Sequence, residues 1–334
     1  MMHGFRIRLA ALALVAATVA GCTQLREYFH PTAPFVSAEW EALLQEVRAF
    51  QRRIGFLDTD NFSDLTKEFD GYPTCGHTSR YHLPYSYEDP AIRWRDVETE
   101  MECLLEADGS DVFFTTVEAW GEIGTPVTPS MLGGKLDRFL YLVIHEDCHD
   151  QFELPYGIEE ALCNLITYRA MAAFSREKFG PDSREHRAIR RYAEQQSELT
   201  RTTKAVYEQL AVVYARYDRK EISQDALLAE RAAVFKKSYR VLGPTRAVPN
   251  NVIIANDMTY SRHYPFLETV YEALGRDLAR TVAFFRQVDK AKPTPAEVVK
   301  KYRLKSASEV EFVRAYEAEV VSTIEKVLAD PARR

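Results

Sequence analysis

Residues 141–150 read YLVIHEDCHD. Two histidines stand four positions apart, with a glutamate directly after the first, and the apolar run Phe139, Leu140, Leu142, Val143 and Ile144 leads into them. On a helix, positions i and i+4 project from one face a turn apart, so His145 and His149 can aim their imidazole nitrogens at a single point. A metal site needs a dry helix flank, and the apolar run supplies one. Glu146 lies beside the pair, where its carboxylate can reach a metal-bound water without ligating. Zinc lowers the pKa of such a water towards about 7, and Glu146 is placed to take its proton as the water attacks a polarised carbonyl. The bland alternative is a histidine pair on a solvated helix face. Histidines set inside an apolar run fit that alternative poorly.

The residues that follow strengthen the metal reading. After the loop QFELPYG (151–157), a second helix opens with Ile158-Glu159-Glu160-Ala161-Leu162-Cys163. A short turn between two helices packs them side by side, which carries a carboxylate of the second towards the histidines of the first. Catalytic zinc commonly takes two histidines and one glutamate, keeping a fourth position for water. One ion with His145, His149 and either Glu159 or Glu160 completes that set. Neighbours on a helix face different ways, so one of the two glutamates must turn aside, and spacing alone does not choose between them.

Working outward, helical periodicity dominates. The spacing predicts helices over 37–56 (with Ser37 as N-cap), 96–109, 135–152, 158–180, 184–218 and 222–240, and two or three more near the end of the chain. Residues 246–265 open on a Pro-Asn-Asn turn and then resume helical spacing. DVFFTTVEAW (111–120) is β-branched and aromatic and reads as a strand. Residues 57–97 read as loops with one or two short strands, and 121–134, rich in glycine and proline, as a loop. The expected class is α+β, predominantly α-helical, with a small N-terminal sheet followed by a helical bundle. Hydrophobic residues are 46% and charged residues 28% of the chain, with net charge -6 and no basic patch, which speaks against nucleic acid as a partner.

The N-terminus is built differently. MMHGFRIR is basic, and LAALALVAATVA is an apolar stretch of signal-peptide length, too short to span a bilayer. It ends in Val19-Ala20-Gly21-Cys22, which resembles the lipobox of bacterial lipoproteins, where the peptide is cut before a cysteine that is then acylated. The division expected is a signal peptide over 1–22, a tether over 23–36 and a single domain over 37–330. Within that domain, 37–134 carries the sheet, 135–180 the two metal-site helices, and 181–330 a helical C-terminal part. This implies a lipid anchor at Cys22 on the periplasmic side of the bacterial cell envelope, at the outer membrane. Export leaves Cys75, Cys103, Cys148 and Cys163, an even number in a disulfide-permissive compartment, with three pairings open.

HEDCHD and EEALC, in this order and at this spacing, are similar to the HELAHQ and NExxA signatures of the zinc aminopeptidases expected in bacteria within the gluzincin metallopeptidases. The resemblance extends to DVFFTTVEAWGEIGTPVTPSML upstream and to NNVIIANDMTYSRHYPFLETVYEAL downstream. It implies a gluzincin-like domain that hydrolyses peptides, with Glu160 on the ligand glutamate. It also implies that Tyr260, in the family's TY position, or His263 nearby stabilises an oxyanion. A peptidase that reads a free amino terminus needs carboxylates near the metal, and Glu118 and Glu122 are candidates by position. Where the family has alanine before the second histidine and three residues after the ligand glutamate, this chain has Cys148 and Cys163. That implies a Cys148–Cys163 disulfide stapling the two helices and leaves Cys75 with Cys103. Two other functions compete with the peptidase: a zinc-binding lipoprotein that acts as a binding or scaffolding module, and an amide hydrolase acting on cell-wall material.

Overall fold

The computed structural model describes residues 39–66, 71–106, 109–119, 124–242 and 249–330, with Thr32, Pro34 and Val36. Along them run α1 (Trp40–Arg53), β1 (Tyr72–Ser79), β2 (Arg93–Asp96), α2 (Glu100–Glu106), β3 (Ser110–Val117) and α3 (Pro129–Gly133). Then come α4 (Leu136–His149), α5 (Tyr156–Phe179), α6 (Arg184–Asp218), α7 (Gln224–Leu242) and α8 (Asn251–Ser261). The last are α9 (Tyr264–Ala273), α10 (Leu278–Ala291), α11 (Pro295–Tyr302) and α12 (Val310–Ala329). The fold is predominantly helical with one small antiparallel sheet. Ser37, Cys22, Glu122, the signal segment and nearly all of the tether lie outside the described residues. No helix among the described residues is long and apolar enough to cross a membrane.

The core is organised around α5. Gly157 through Tyr168 are all buried, so this stretch of the helix shows no polar face to solvent, as expected of a segment surrounded on every side. Helices α4, α6, α8, α9 and α10 pack about it. Phe139, Leu140, Val143 and Ile144 of α4 meet Ile158, Ala161, Leu162 and Leu165 of α5 in the main hydrophobic core. Burying Glu159, Glu160, Asn164 and Thr167 on this helix costs free energy unless each finds a partner, which marks out the functional stretch.

Helix α4 is held on its far side by polar bonds from the preceding chain. Gln51 of α1 donates to Asp147 Oδ2 at 2.9 Å, and the Thr59 hydroxyl donates to Asp147 Oδ1. Asn61 donates to Asp150 Oδ2 at 2.8 Å. Burial pushes the Asp147 carboxyl above its ordinary range, and the donors from Thr59 and Gln51 act against that rise. The face of α4 opposite the histidines is thereby fixed.

The sheet has the order β2-β1-β3, with Cys75 of β1 opposite Arg95 of β2 and Phe114 of β3. Helix α8 covers one of its faces through Val252 and Ala255, which pack with Ile92, Trp94 and Phe113. The Pro-Asn-Asn turn does the joining. Asn250 caps α8 by accepting from the Val252 and Ile253 N–H groups, and its Nδ2 donates to the Val112 carbonyl of β3 at 2.7 Å. Asn251 donates its N–H to Asp111 and its Nδ2 to the His82 carbonyl at 2.7 Å. The two asparagines set where α8, and so Tyr260, stands relative to β3.

Three boundaries differ from the sequence-based expectations. The 121–134 segment contains α3, because Thr128 caps the Met131 N–H and Pro129 occupies the first turn, signals outweighed by the glycines around them. The helix expected through 265 ends at Ser261, and α9 begins at Tyr264 with Pro265 in its first turn. The helix expected from 96 starts at Glu100, since Arg93–Asp96 pairs with β1 instead. Two disulfides are present: Cys75–Cys103 joins β1 to α2 with Cα atoms 5.5 Å apart, and Cys148–Cys163 joins α4 to α5 at 5.6 Å.

Candidate metal centre

One turn of α4 and the first turns of α5 build the centre. His145 Nε2 lies 3.1 Å from Glu160 Oε2, His149 Nε2 lies 3.4 Å from the same oxygen, and the two Nε2 atoms are 3.3 Å apart. Three donor atoms thus form a nearly equilateral triangle. Around a tetrahedral ion with bonds of about 2.0–2.1 Å, ligand atoms stand about 3.3–3.4 Å from one another. Two neutral imidazoles and one carboxylate also suit the ligand chemistry of such an ion, so the residues present fit a bound metal.

The second glutamate has a different task. Glu159 Oε1 lies 2.9 Å from His149 Nδ1, and its Oε2 accepts the Leu154 N–H at 2.8 Å. Glu160 therefore faces the triangle while Glu159 orients His149 from behind. A carboxylate on the far nitrogen fixes the tautomer that leaves Nε2 free to ligate. We predict that Glu159→Ala weakens metal binding by about 10- to 100-fold, the range found for such outer partners. Titration with a competing chelator measures this, and an unchanged affinity would remove the orienting role.

Charge is concentrated at this point. Burial lowers the His149 pKa, but the Glu160 and Glu159 carboxylates overcome that effect and hold it well above its ordinary value. Burial raises the Glu160 carboxyl, yet the His149 charge and the His145 and His149 hydrogen bonds bring it well below the carboxylate range. The Tyr141 ring stacks on His145, with centroids 4.9 Å apart and planes within 17°. Its hydroxyl donates to Asn164 Oδ1 at 2.9 Å. Tyrosine and histidine on α4, and glutamate and asparagine on α5, are each one turn apart, so the two helices are linked again one turn from the triangle.

A cavity of about 490 Å³ opens over the triangle. His145, Glu146, His149 and Glu160 lie on one side, and Thr74 of β1 with Phe113, Thr115 and Val117 of β3 on another. Glu146 is only 7% exposed and borders this space. Tyr260 borders it too. Burial, then the charges of Glu160 and Glu146, keep the Tyr260 hydroxyl protonated far above its ordinary range. Glu118 lines the cavity, but its carboxylate is paired with Arg138 of α4. His263 does not reach it: its Nε2 lies 2.9 Å from Glu317 Oε2, and Glu317 also accepts the Tyr85 hydroxyl.

Three of the lining residues that escaped the sequence reading bear on the chemistry. Tyr156 stands one turn before Glu160 on α5 and faces it, and burial followed by that carboxylate raises its pKa well above the usual value. Its i, i+4 relation to Glu160 was a usable signal. Tyr87 stacks on Trp94 at 4.4 Å and continues the aromatic wall to Tyr156, 5.8 Å away. Glu88, exposed at the cavity's rim, is pushed up to about 7 by partial burial and then by the Glu317 charge. Both residues come from a segment without periodicity, where no spacing could have pointed to them.

No curated protein and no solved structure matches this chain. A family model described as putative aminopeptidase matches residues 95–301, which include the whole metal triangle, Glu146 and Tyr260. That stretch covers more than half of the sequence, and the chain belongs to the putative aminopeptidase family.

Proposed function

We propose that this protein is a gluzincin-like zinc peptidase that removes residues from the free amino termini of peptides. The observation that carries the reading is the triangle of His145, His149 and Glu160 donor atoms with Glu146 bordering the same cavity. Bound at those three atoms, zinc supplies Lewis acidity to a water and to the substrate carbonyl. Glu146 takes a proton from the attacking water and passes it to the leaving amine. Tyr260 and Tyr156, both kept protonated by their surroundings, stand ready to donate to the oxygen on which negative charge develops.

Two further features favour a peptide with a free amino terminus. β3 is an edge strand of the sheet and forms part of the cavity wall, so an extended chain can pair with its backbone. Glu88 at the rim offers a carboxylate to a terminal ammonium, in place of Glu118, which Arg138 already engages. Since the Glu88 carboxyl is raised to about 7, its negative charge forms as pH rises through that value, and amine recognition strengthens accordingly. Glu88→Gln is expected to raise KM about tenfold for peptides with a free amino terminus, by loss of one charge-assisted hydrogen bond, and to leave kcat little changed.

The deciding experiment is metal analysis of the purified protein coupled to a panel of free and amino-blocked peptides. One zinc per chain and cleavage of the free peptides alone support the proposal. Bound zinc with no cleavage of any amide would leave a metal-binding module and end the peptidase reading. Cleavage of blocked peptides at equal rate would end the aminopeptidase part. We place the protein in the bacterial envelope, anchored through Cys22 at the outer membrane. This location is supported by the lipobox-like segment and by two disulfides, which persist in oxidising compartments.

A further inference from the structure

Behind the metal cavity lies a second one, and the two share Tyr141 and Tyr260 as walls. Its volume is about 180 Å³, several times the ~30 Å³ that a water molecule occupies in the liquid. Asn164 of α5, Thr200 and Thr203 of α6, and Asp257 and Ser261 of α8 line it. Asn164 is 3% exposed and Thr203 1% exposed, so these polar groups are built into the core rather than scattered on a surface. Asn164 accepts the Tyr141 hydroxyl on Oδ1, which sets its amide nitrogen as a donor. The mechanism above uses none of them.

We infer that this second cavity is a substrate subsite, which takes a polar, hydrogen-bonding side chain next to the scissile bond. The inference rests on the peptidase reading and specifies its substrate. The Tyr141 ring lies against His145, and Tyr260 borders the metal cavity together with Glu146 and Glu160. The polar pocket thus adjoins the space over the ligands at these two rings, within reach of a side chain attached beside the reacting carbonyl. An apolar side chain placed there leaves the amide of Asn164 and the hydroxyl of Thr203 without partners. A site built from hydrogen-bonding groups rejects an analogue that lacks them far more strongly than an apolar pocket rejects a smaller one. Asparagine and leucine have nearly the same shape, as do glutamine and methionine, so the two pairs isolate the polar contribution.

The test uses zinc-loaded full-length protein and peptides that differ only at the amino-terminal residue, with a second set that differs at the next. The expected result is a kcat/KM at least tenfold higher for asparagine than for leucine, and for glutamine than for methionine, at one of the two positions. Thr203→Val keeps the shape of the wall and removes its hydroxyl. It should cut the asparagine preference about threefold to tenfold, through the loss of one neutral hydrogen bond. Unchanged thermal midpoint and metal content confirm that this variant folds. Cleavage with leucine equal to or better than asparagine at both positions overturns the subsite and leaves the peptidase intact. Cleavage of no peptide at all overturns the peptidase reading, and the subsite with it.

Discussion

Replacing Glu146 by glutamine should leave one metal ion per chain and lower kcat about a thousandfold, within the range for a lost general acid–base. That factor corresponds to about 4 kcal/mol of transition-state stabilisation. The physical case rests on position. His145 and His149 point their Nε2 atoms towards Glu160, while Glu146, one residue after His145, projects to a different part of the same cavity. Glutamine keeps the size of the side chain and one acceptor oxygen but cannot carry away a proton. KM should change little, because a group that serves the reaction step is not needed to hold the ground state. Two outcomes would count against this assignment. A kcat within tenfold of the wild type removes the proton-transfer role, and loss of the metal makes Glu146 a ligand.

The centre was legible in the sequence to the extent that its chemistry is local. Metal ligands on one helix must recur at i and i+4, and that constraint is visible without a fold. Spacing left the third ligand as a choice between Glu159 and Glu160, which the family resemblance alone turned towards Glu160, because adjacent carboxylates differ in direction, and direction is decided by packing. Here the Leu154 N–H and His149 Nδ1 turn Glu159 aside. Of the opposite wall, Tyr260 was named through the family resemblance and Glu118 by its position, while nothing pointed to Tyr87, Glu88 or Thr115. Glu88, Thr115 and Tyr260 come together from three distant segments, and only the antiparallel register and the Asn250 and Asn251 bonds bring them to one cavity. Charge pairing across long separations was equally hidden. Glu118 reads as a free carboxylate until Arg138 is seen beside it, and His263 reads as a site residue until Glu317 is.

The fold followed a similar division. The long α6 announced itself by apolar spacing, since a half-buried helix must repeat its buried face every turn, whereas α4 is buried on every side from Leu142 to Cys148. Helix α5 was expected over 158–180 from its spacing and its terminal Gly180, although its stretch from Gly157 to Tyr168 is buried on every side and only its C-terminal end reaches solvent. The short α3 was lost among glycines and prolines, although one of those prolines occupies its first turn.

Removing the Cys148–Cys163 disulfide should lower stability by about 3 kcal/mol, the chain-entropy value for a loop of that length; the bonded residues are separated by 15 positions. A change of that size in a chain of this length corresponds to a drop of roughly 4–5 °C in the thermal midpoint. The bond matters for more than stability because of where it sits. Cys148 directly precedes His149, Cys163 is three residues after Glu160, and both cysteines are fully buried. The disulfide thus restrains the two helices that supply the ligands close to the ligands themselves. Cys148→Ala with Cys163→Ala puts a small apolar side chain at each position and opens only a modest void. Metal affinity should fall in this double variant together with the midpoint. Cys75→Ala with Cys103→Ala is the matching control, since that bond closes a longer loop of 28 positions but joins β1 to α2, away from the ligand helices. It should cost about as much stability and leave metal affinity alone. Equal losses of affinity in both variants would show that the metal senses overall stability rather than the staple beside it. A Cys148/Cys163 variant with unchanged affinity would show that the polar links from Glu159 to His149 and from Tyr141 to Asn164 hold the two helices in register without it.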